Sequence, residues 1–177
     1  MNALRVGILT VSDRSSRGER ADSSGPVLKK QILLQGWNVV QMEIIPDEFQ
    51  IIKNRLSTWT DDLNLDMILT TGGTGFSPRD ITPEATQDVI QREAPGIAEA
   101  MRVASLRITP HAMLSRAVAG IRERTLIVNL PGSPKAAEEN LAVILPVLPH
   151  AIQLLQEDPN SEAGHQLESG KILTNQE

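Results

Sequence analysis

Four short runs rich in β-branched and aliphatic residues set the frame: residues 4–11 (LRVGILTV), 37–45 (WNVVQMEII), 66–71 (DMILTT) and 125–130 (TLIVNL). The first is almost continuously apolar and reads as a strand buried on both faces; the others also read as strands. Segments with helical spacing lie between them. Residues 26–35 carry Val27, Leu28, Ile32 and Leu34 and stop at Gly36, a good helix terminator. Phe49, Ile52, Leu56 and Trp59 form one stripe of a helix opened by Pro46-Asp47-Glu48, and Ile97, Met101, Ala104 and Ile108 form another after Pro95. A further helix is expected from about Lys135, with Pro146 and Pro149 kinking it or splitting it in two. Residues 113–121 fit no single pattern and leave room for a short strand. This strand–helix alternation predicts a three-layer α/β fold, with a largely parallel sheet and helices on both faces. A chain of 177 residues suits one such domain, expected over residues 1–156, followed by a polar acidic tail over residues 157–177 that is expected to be flexible.

Sheets of this kind bind ligands outside the carboxyl ends of their strands. That rule directs attention to the loops over residues 12–25, 46–48, 72–82 and 131–134, each of which follows a predicted strand. The richest begins at Thr70-Thr71-Gly72-Gly73-Thr74-Gly75 and runs through Arg79-Asp80-Ile81-Thr82-Pro83-Glu84. Three glycines in four positions let the backbone approach a ligand closely, and backbone N–H groups with threonine hydroxyls suit phosphate oxygens. Thr82-Pro83-Glu84 has the chemistry of a helix start, with Thr82 as the cap. The same segment also reads as a glycine-rich turn with no ligand, and it matches neither the P-loop nor the dinucleotide-binding pattern.

Asp80 is suited to holding Mg²⁺ beside a phosphate loop, or to serving as a solvated loop aspartate. Asp47 reads as an ordinary helix cap or, if it lies close to Asp80 at adjacent strand ends, as half of a metal-and-substrate pair. Pro131-Gly132-Ser133-Pro134-Lys135 is a capped helix start or an anion site using Ser133 and Lys135. Ser12, Asp13 and Arg14 open a loop that also holds Arg17 and Arg20, a solvated face or a polyanion contact. Ser105 reads as a helix residue that bonds back to a carbonyl, and Ser115 as an ordinary strand residue.

Composition removes several alternatives. The absence of cysteine excludes disulfides, thiolate zinc sites, iron–sulfur clusters and a cysteine nucleophile. With no tyrosine, two Phe and two Trp, there is little for single-stranded nucleic acid to stack on. The three histidines are far apart and lack metal-ligand spacing. The net charge of −5 argues against nucleic acid and anionic membranes, although most of it belongs to the last 21 residues, with five acids against Lys171. No apolar run reaches the ~20 residues that span a bilayer, and no signal-peptide layout opens the chain, so the cytoplasm is expected. No G-x-S-x-G elbow indicates a serine nucleophile. Phosphoryl or nucleotidyl transfer, which rests on positioning and charge stabilisation, suits the remaining groups.

Taken in order, Thr70-Thr71-Gly72-Gly73-Thr74-Gly75, Arg79-Asp80-Ile81-Thr82-Pro83-Glu84-Ala85 and Asn129-Leu130-Pro131-Gly132-Ser133-Pro134 resemble the MogA/MoaB family of molybdenum-cofactor biosynthesis, in particular its molybdopterin adenylyltransferases. The resemblance implies a molybdopterin-binding-like fold assembled as a homotrimer. It implies Mg²⁺-dependent adenylylation of molybdopterin by ATP, with release of pyrophosphate, before a MoeA-like partner inserts molybdate. On it, Asp47 and Asp80 match the functional aspartates, with Asp80 toward Mg²⁺. Thr71, Gly72, Gly73, Thr74 and Gly75 match the loop near the ligand, Ser105 and Ser115 the pterin pocket, and Pro131, Gly132 and Ser133 the second turn. A rival reading is a MoaB-like molybdopterin-binding module without turnover; another is a different nucleotide-dependent enzyme on the same scaffold, such as a nucleotide pyrophosphatase acting on another pterin or dinucleotide. The Asp47–Asp80 pair favours the transferase.

Overall fold

Placed side by side, the β-branched runs bury their side chains on two faces at once, and the sheet they form organises everything else. The structure is a computed structural model and describes residues 3–157; the tail expected beyond Glu157 lies outside the described residues. In chain order the elements are β1 (Arg5–Val11), α1 (Asp13–Ser16), α2 (Ser24–Leu34), β2 (Asn38–Ile45), α3 (Phe49–Asp61), β3 (Met67–Thr71), α4 (Thr82–Gln87), β4 (Arg92–Glu93), α5 (Pro95–Leu106), a 3-10 turn over Pro110–Leu114, β5 (Ala119–Arg122), β6 (Thr125–Leu130), α6 (Pro134–Ile144) and α7 (Leu148–Leu155). The sheet runs β2-β1-β3-β6-β5-β4; its first four strands are parallel, and β5 returns antiparallel to β6.

The period of two in the strands assigns the layers. Val6 and Ile8 of β1, Met67 and Leu69 of β3, and Leu126 and Val128 of β6 face α2, α5, α6 and α7. Leu9, Ile68 and Ile127 face α3 and α4, where Ile52, Leu56 and Trp59 supply the stripe read from the sequence. This is the expected three-layer α/β fold.

The chain moves from β1 outward to β2, then back past β1 to β3. The connections that leave the carboxyl ends of β1 and β3 therefore run to opposite sides and open the crevice that open α/β sheets use for ligands. Gly72 leaves β3 at this crevice with φ +102°, and its N–H donates to the Leu130 carbonyl at 3.2 Å. A Cβ at Gly72 would collide with the Val11 carbonyl oxygen, so the ends of β1, β3 and β6 meet backbone to backbone.

Several local expectations are corrected. The 12–25 loop contains α1, capped by Ser12 Oγ, which accepts from the Ser15 N–H. Helix α2 starts at Ser24 rather than Pro26, because Asp22 Oδ1 accepts from the N–H groups of Ser24 and Gly25. Thr82 is not a cap: α4 begins at Thr82, Ile81 holds the cap position, and the Thr82 hydroxyl bonds nothing. Ile108 falls beyond α5 and is exposed, whereas Ala98 and Met101 make the buried face. As one of the two expected outcomes, the last helical region is split in two: Pro146 lies between α6 and α7, and Pro149 sits in the first turn of α7.

Replacing Gly72 tests the crossing. Gly72→Ala is expected to cost about 3 kcal/mol or more, against about 1 kcal/mol for Gly36→Ala, since both have positive φ but only Gly72 is hemmed in by backbone. Urea denaturation of the two variants measures the difference.

Candidate active site

Two adjoining cavities open at the carboxyl edge of the sheet. The first, about 520 Å³, is lined by Ser12, Asp47, Thr71, Gly72, Gly73, Asp80, Gly132 and Ser133, together with Arg20 and Asp22. The second, about 270 Å³ and more apolar, is lined by Thr74, Gly75, Ser105, Ser115 and Pro131, with Ile108, Leu114 and Asn140. Consecutive residues Gly73 and Thr74, and again Pro131 and Gly132, divide between the two, so the glycine-rich loop and the turn after β6 form the ridge they share. A larger cavity of about 720 Å³ lies at the opposite edge. Its charges satisfy one another, with Arg122 gripping Asp61 and Gln156 bonding Asp66, and size alone does not mark a ligand site.

Asp47 is neither a cap nor a solvated loop residue. It is 9% exposed, and its Oδ2 accepts from the Asp13 N–H at 2.7 Å. Asp13 Oδ1 in turn accepts from the Asp47 N–H at 3.2 Å. Arg79 clamps the same Asp13 carboxylate at 2.9 and 3.0 Å and reaches Glu48 at 2.7 Å. The loops after β1, β2 and β3 are thus tied into one body. The strands bearing Asp47 and Asp80 are not neighbours, as β1 lies between them. The loop after β3 still brings Asp80 within electrostatic reach of Asp47.

Asp80 first shapes its own loop, with Oδ2 accepting from the N–H groups of Gly75 and Ser77 at 3.0 and 3.1 Å. Arg116 fixes that loop from behind. It donates to the carbonyls of Gly75 at 2.6 Å and Asp80 at 2.7 Å, and pairs with Glu84. Nothing in the sequence marked Arg116; its role appears only when the segment before β5 folds under the glycine-rich loop.

Ser133 caps nothing, although it holds the cap position of α6, so its hydroxyl at the cavity wall is uncommitted. Lys135 lies outside the cavity wall, facing Glu139 at 3.8 Å. Ser105 accepts from Asn140 Nδ2 at 3.0 Å rather than bonding to a carbonyl of its own helix, and Ser115 precedes β5 instead of lying in it. Of the three residues expected to contact an anion on the first loop, only Ser12 reaches the cavity. Asp13 is taken by Arg79 and Asp47, and Arg14 is exposed on α1.

The electrostatics are lopsided. Asp22, Asp47 and Asp80 border the polar cavity, with Arg20 the one Lys or Arg among the lining residues. Asp22 is used up by Thr10, Ser24 and Gly25. Burial pushes the Asp47 carboxyl above the ordinary aspartate range, opposed by the Asp13 N–H and reinforced by the charges of Asp13 and Asp80. The Arg79 hydrogen bonds hold Asp13 below that range. Among the described residues no group of three or more His, Cys, Asp or Glu is arranged to hold a metal ion. Mg²⁺ does not require one, since it is commonly held by one or two carboxylates together with substrate phosphates and water. Asp80 and the free Oδ1 of Asp47 fit that donor set.

Fold and cleft together define an α/β protein with a polar cleft at the switch point of a largely parallel sheet. Residues 7–150 match the family model described as a probable molybdopterin binding domain, and the chain belongs to that family. It is 41% identical over 157 residues to the molybdopterin adenylyltransferase of Helicobacter pylori, covering 88% of this chain and 89% of that one. It is 49% identical over 166 residues to gephyrin of Dictyostelium discoideum, covering 88% of this chain but spanning only 23% of that protein's length. The crystal structure of the molybdopterin biosynthesis enzyme MoaB from Thermus thermophilus superposes with a TM-score of 0.82 at 54% identity, over 88% of this chain and 98% of that one.

Because the folded-state pKa of Asp47 is raised, the fold prefers the protonated carboxyl. That contribution is present in full below the ordinary aspartate range and is lost as pH rises through the raised pKa. Asp47→Asn keeps an oxygen that can accept from the Asp13 N–H. It is therefore expected to melt above wild type near pH 7, with the gap narrowing toward about pH 4 as Asp47 itself takes up a proton. Thermal melts across that range check both the sign and its pH dependence; a variant that melts at or below wild type near pH 7 contradicts it.

Proposed function

We propose that the chain is a molybdopterin adenylyltransferase of molybdenum-cofactor biosynthesis, joining molybdopterin to the AMP portion of ATP. The observation that carries this reading is the pair of cavities across one ridge. One is polar and carboxylate-bearing beneath a glycine-rich loop; the other is more apolar and flanked by Ser105 and Ser115. A pterin in the second cavity places its phosphate at the ridge, and the first cavity takes the triphosphate. An oxygen of the molybdopterin phosphate attacks the α-phosphorus of ATP. A new P–O bond forms, the bond between the α-phosphorus and the bridging oxygen breaks, and pyrophosphate leaves.

The backbone N–H groups of Gly73 and Thr74, which the loop does not use for itself, and the free Ser133 hydroxyl orient the anionic groups. Arg116 and Asp80 hold the loop in shape, and the Arg79–Asp13 clamp sets where Asp47 stands. Asp80, with a contribution from Asp47, would hold Mg²⁺, which would supply positive charge to offset the negative charge developing on the pyrophosphate. Ordered placement rather than covalent catalysis suits a chain with neither cysteine nor a nucleophile elbow.

The same reading includes a homotrimer, a cytoplasmic location and hand-over of the adenylylated product to a MoeA-like molybdate-inserting partner. Among the described residues no helix is long and apolar enough to cross a membrane. The binding-module alternative is less favoured, because a module without turnover has no use for two carboxylates in a cleft built for anions.

Pyrophosphate release that requires ATP, molybdopterin and Mg²⁺ together tests the proposal. Asp80→Asn is expected to lower kcat about 100-fold, the scale of losing a charge-stabilising group in a preorganised site. Wild-type protein that binds molybdopterin without releasing pyrophosphate, or an Asp80→Asn variant at full rate, overturns it.

A further inference from the structure

Most buried threonines of this chain commit their hydroxyls. Those of Thr10, Thr60, Thr70, Thr71, Thr86 and Thr125 all have hydrogen-bond partners. Thr82 is fully buried and its hydroxyl has none. An enclosed hydroxyl without a partner is a standing cost to the fold, so its position needs a reason.

The position is specific. The Thr82 N–H donates to the Gly73 carbonyl at 3.1 Å, closing the glycine-rich loop. A Cβ on Gly73 would collide with Thr82 Oγ1 and fall 2.9 Å from Asp47 Oδ1, so the two oxygens border one small space over the Gly73 α-carbon. Gly73 keeps that space open. On Asp47, Oδ2 is committed to the Asp13 N–H, while Oδ1 takes no hydrogen bond among the described residues. An uncommitted donor therefore faces an uncommitted acceptor across a gap. The Thr82 oxygen is shielded from the cavity and cannot touch a ligand there itself.

We propose that Thr82 is a positioning residue for the reaction: its buried hydroxyl donates to Asp47 Oδ1 when ligand fills the polar cavity, holding that carboxylate in its working orientation. Without that hydrogen bond the buried hydroxyl has no partner. Ligand pressing on the glycine-rich loop closes the gap, and a hydrogen bond to a charged acceptor forms only then. The stabilisation is thus realised in the filled site and withheld from the resting one, the pattern expected of a group retained for turnover at some cost to stability. The inference rests on the adenylyl-transfer reading and on Asp47 acting within it.

The test compares Thr82→Val, Thr82→Ala and Thr82→Ser with wild type, measuring pyrophosphate release with ATP and molybdopterin alongside thermal melting. Valine and alanine are each expected to lower kcat about tenfold, the scale of one hydrogen bond to a charged group, with KM for ATP within about threefold of wild type. Serine keeps the hydroxyl and is expected to stay within about threefold in kcat. Thr82→Val, having removed an unpaired group, is expected to melt at or above the wild-type temperature. A valine or alanine variant with wild-type kcat overturns the proposal. So does a serine variant as slow as valine, or a valine variant whose lost activity comes with a lower melting temperature. Wild-type protein that releases no pyrophosphate overturns the adenylyl-transfer reading and this inference with it; active wild type with an indifferent Thr82→Val variant overturns the inference alone.

Discussion

A contact between backbones governs this molecule. Where β3 ends, Gly72 passes so close to the Val11 carbonyl that no side chain fits between them, and Gly132 approaches the Gly72 α-carbon from the turn after β6. Three strand ends are thereby drawn to one point. The glycine-rich loop then leaves at an angle that a residue with negative φ would not give. The crevice at the switch point, the ridge between the two cavities and the meeting of Asp47 with the loop after β3 all follow from that crossing. Hydrophobic burial builds the sheet, but it would do so equally well with the strand ends splayed.

Charge is arranged around this point in an order that serves a ligand better than it serves the empty fold. Asp47 is buried beside two other carboxylates, which the protein alone would not favour. Arg79 offsets part of this by gripping Asp13, and the reciprocal bonds between Asp13 and Asp47 spread its effect across two loops. Asp80 spends one oxygen on the N–H groups of its own loop. What remains is a cleft with idle acceptors, a Ser133 hydroxyl that caps nothing and the N–H groups of Gly73 and Thr74. That combination is suited to phosphates accompanied by a divalent cation.

Much of this was legible in the sequence, and the boundary of legibility has a physical cause. Strand runs such as Thr125–Leu130 and the Ile52–Leu56–Trp59 stripe declare themselves because burial dictates residue type at a fixed period. Glycine clusters declare themselves through backbone geometry. The start of α2 is hidden in the sequence because Asp22, which reads as one more polar loop residue, turns back to cap it. The two-residue β4 is too short to carry any pattern. Arg116 and the Arg79–Asp13 clamp join residues far apart in the chain, and no local pattern announces a partner 36 or 66 positions away. Asp13 and Arg14 carry charge at a strand end, but Asp13 is engaged by Arg79 and Asp47, and Arg14 is exposed on α1.

The hydrogen bond from Thr82 to the Gly73 carbonyl makes the segment between them a closed ring, pinned inside by Asp80 and from behind by Arg116. Only its far rim, with Phe76, Ser77, Pro78 and Arg79, is exposed. A ring held in this way responds to change in two different ways. Its circumference is fixed, because a residue added or lost would break the closure and displace Asp80. The Phe76 side chain is exposed and takes no part in the bonds that close the ring, so changing it alters what the loop presents to the outside without disturbing what it holds within.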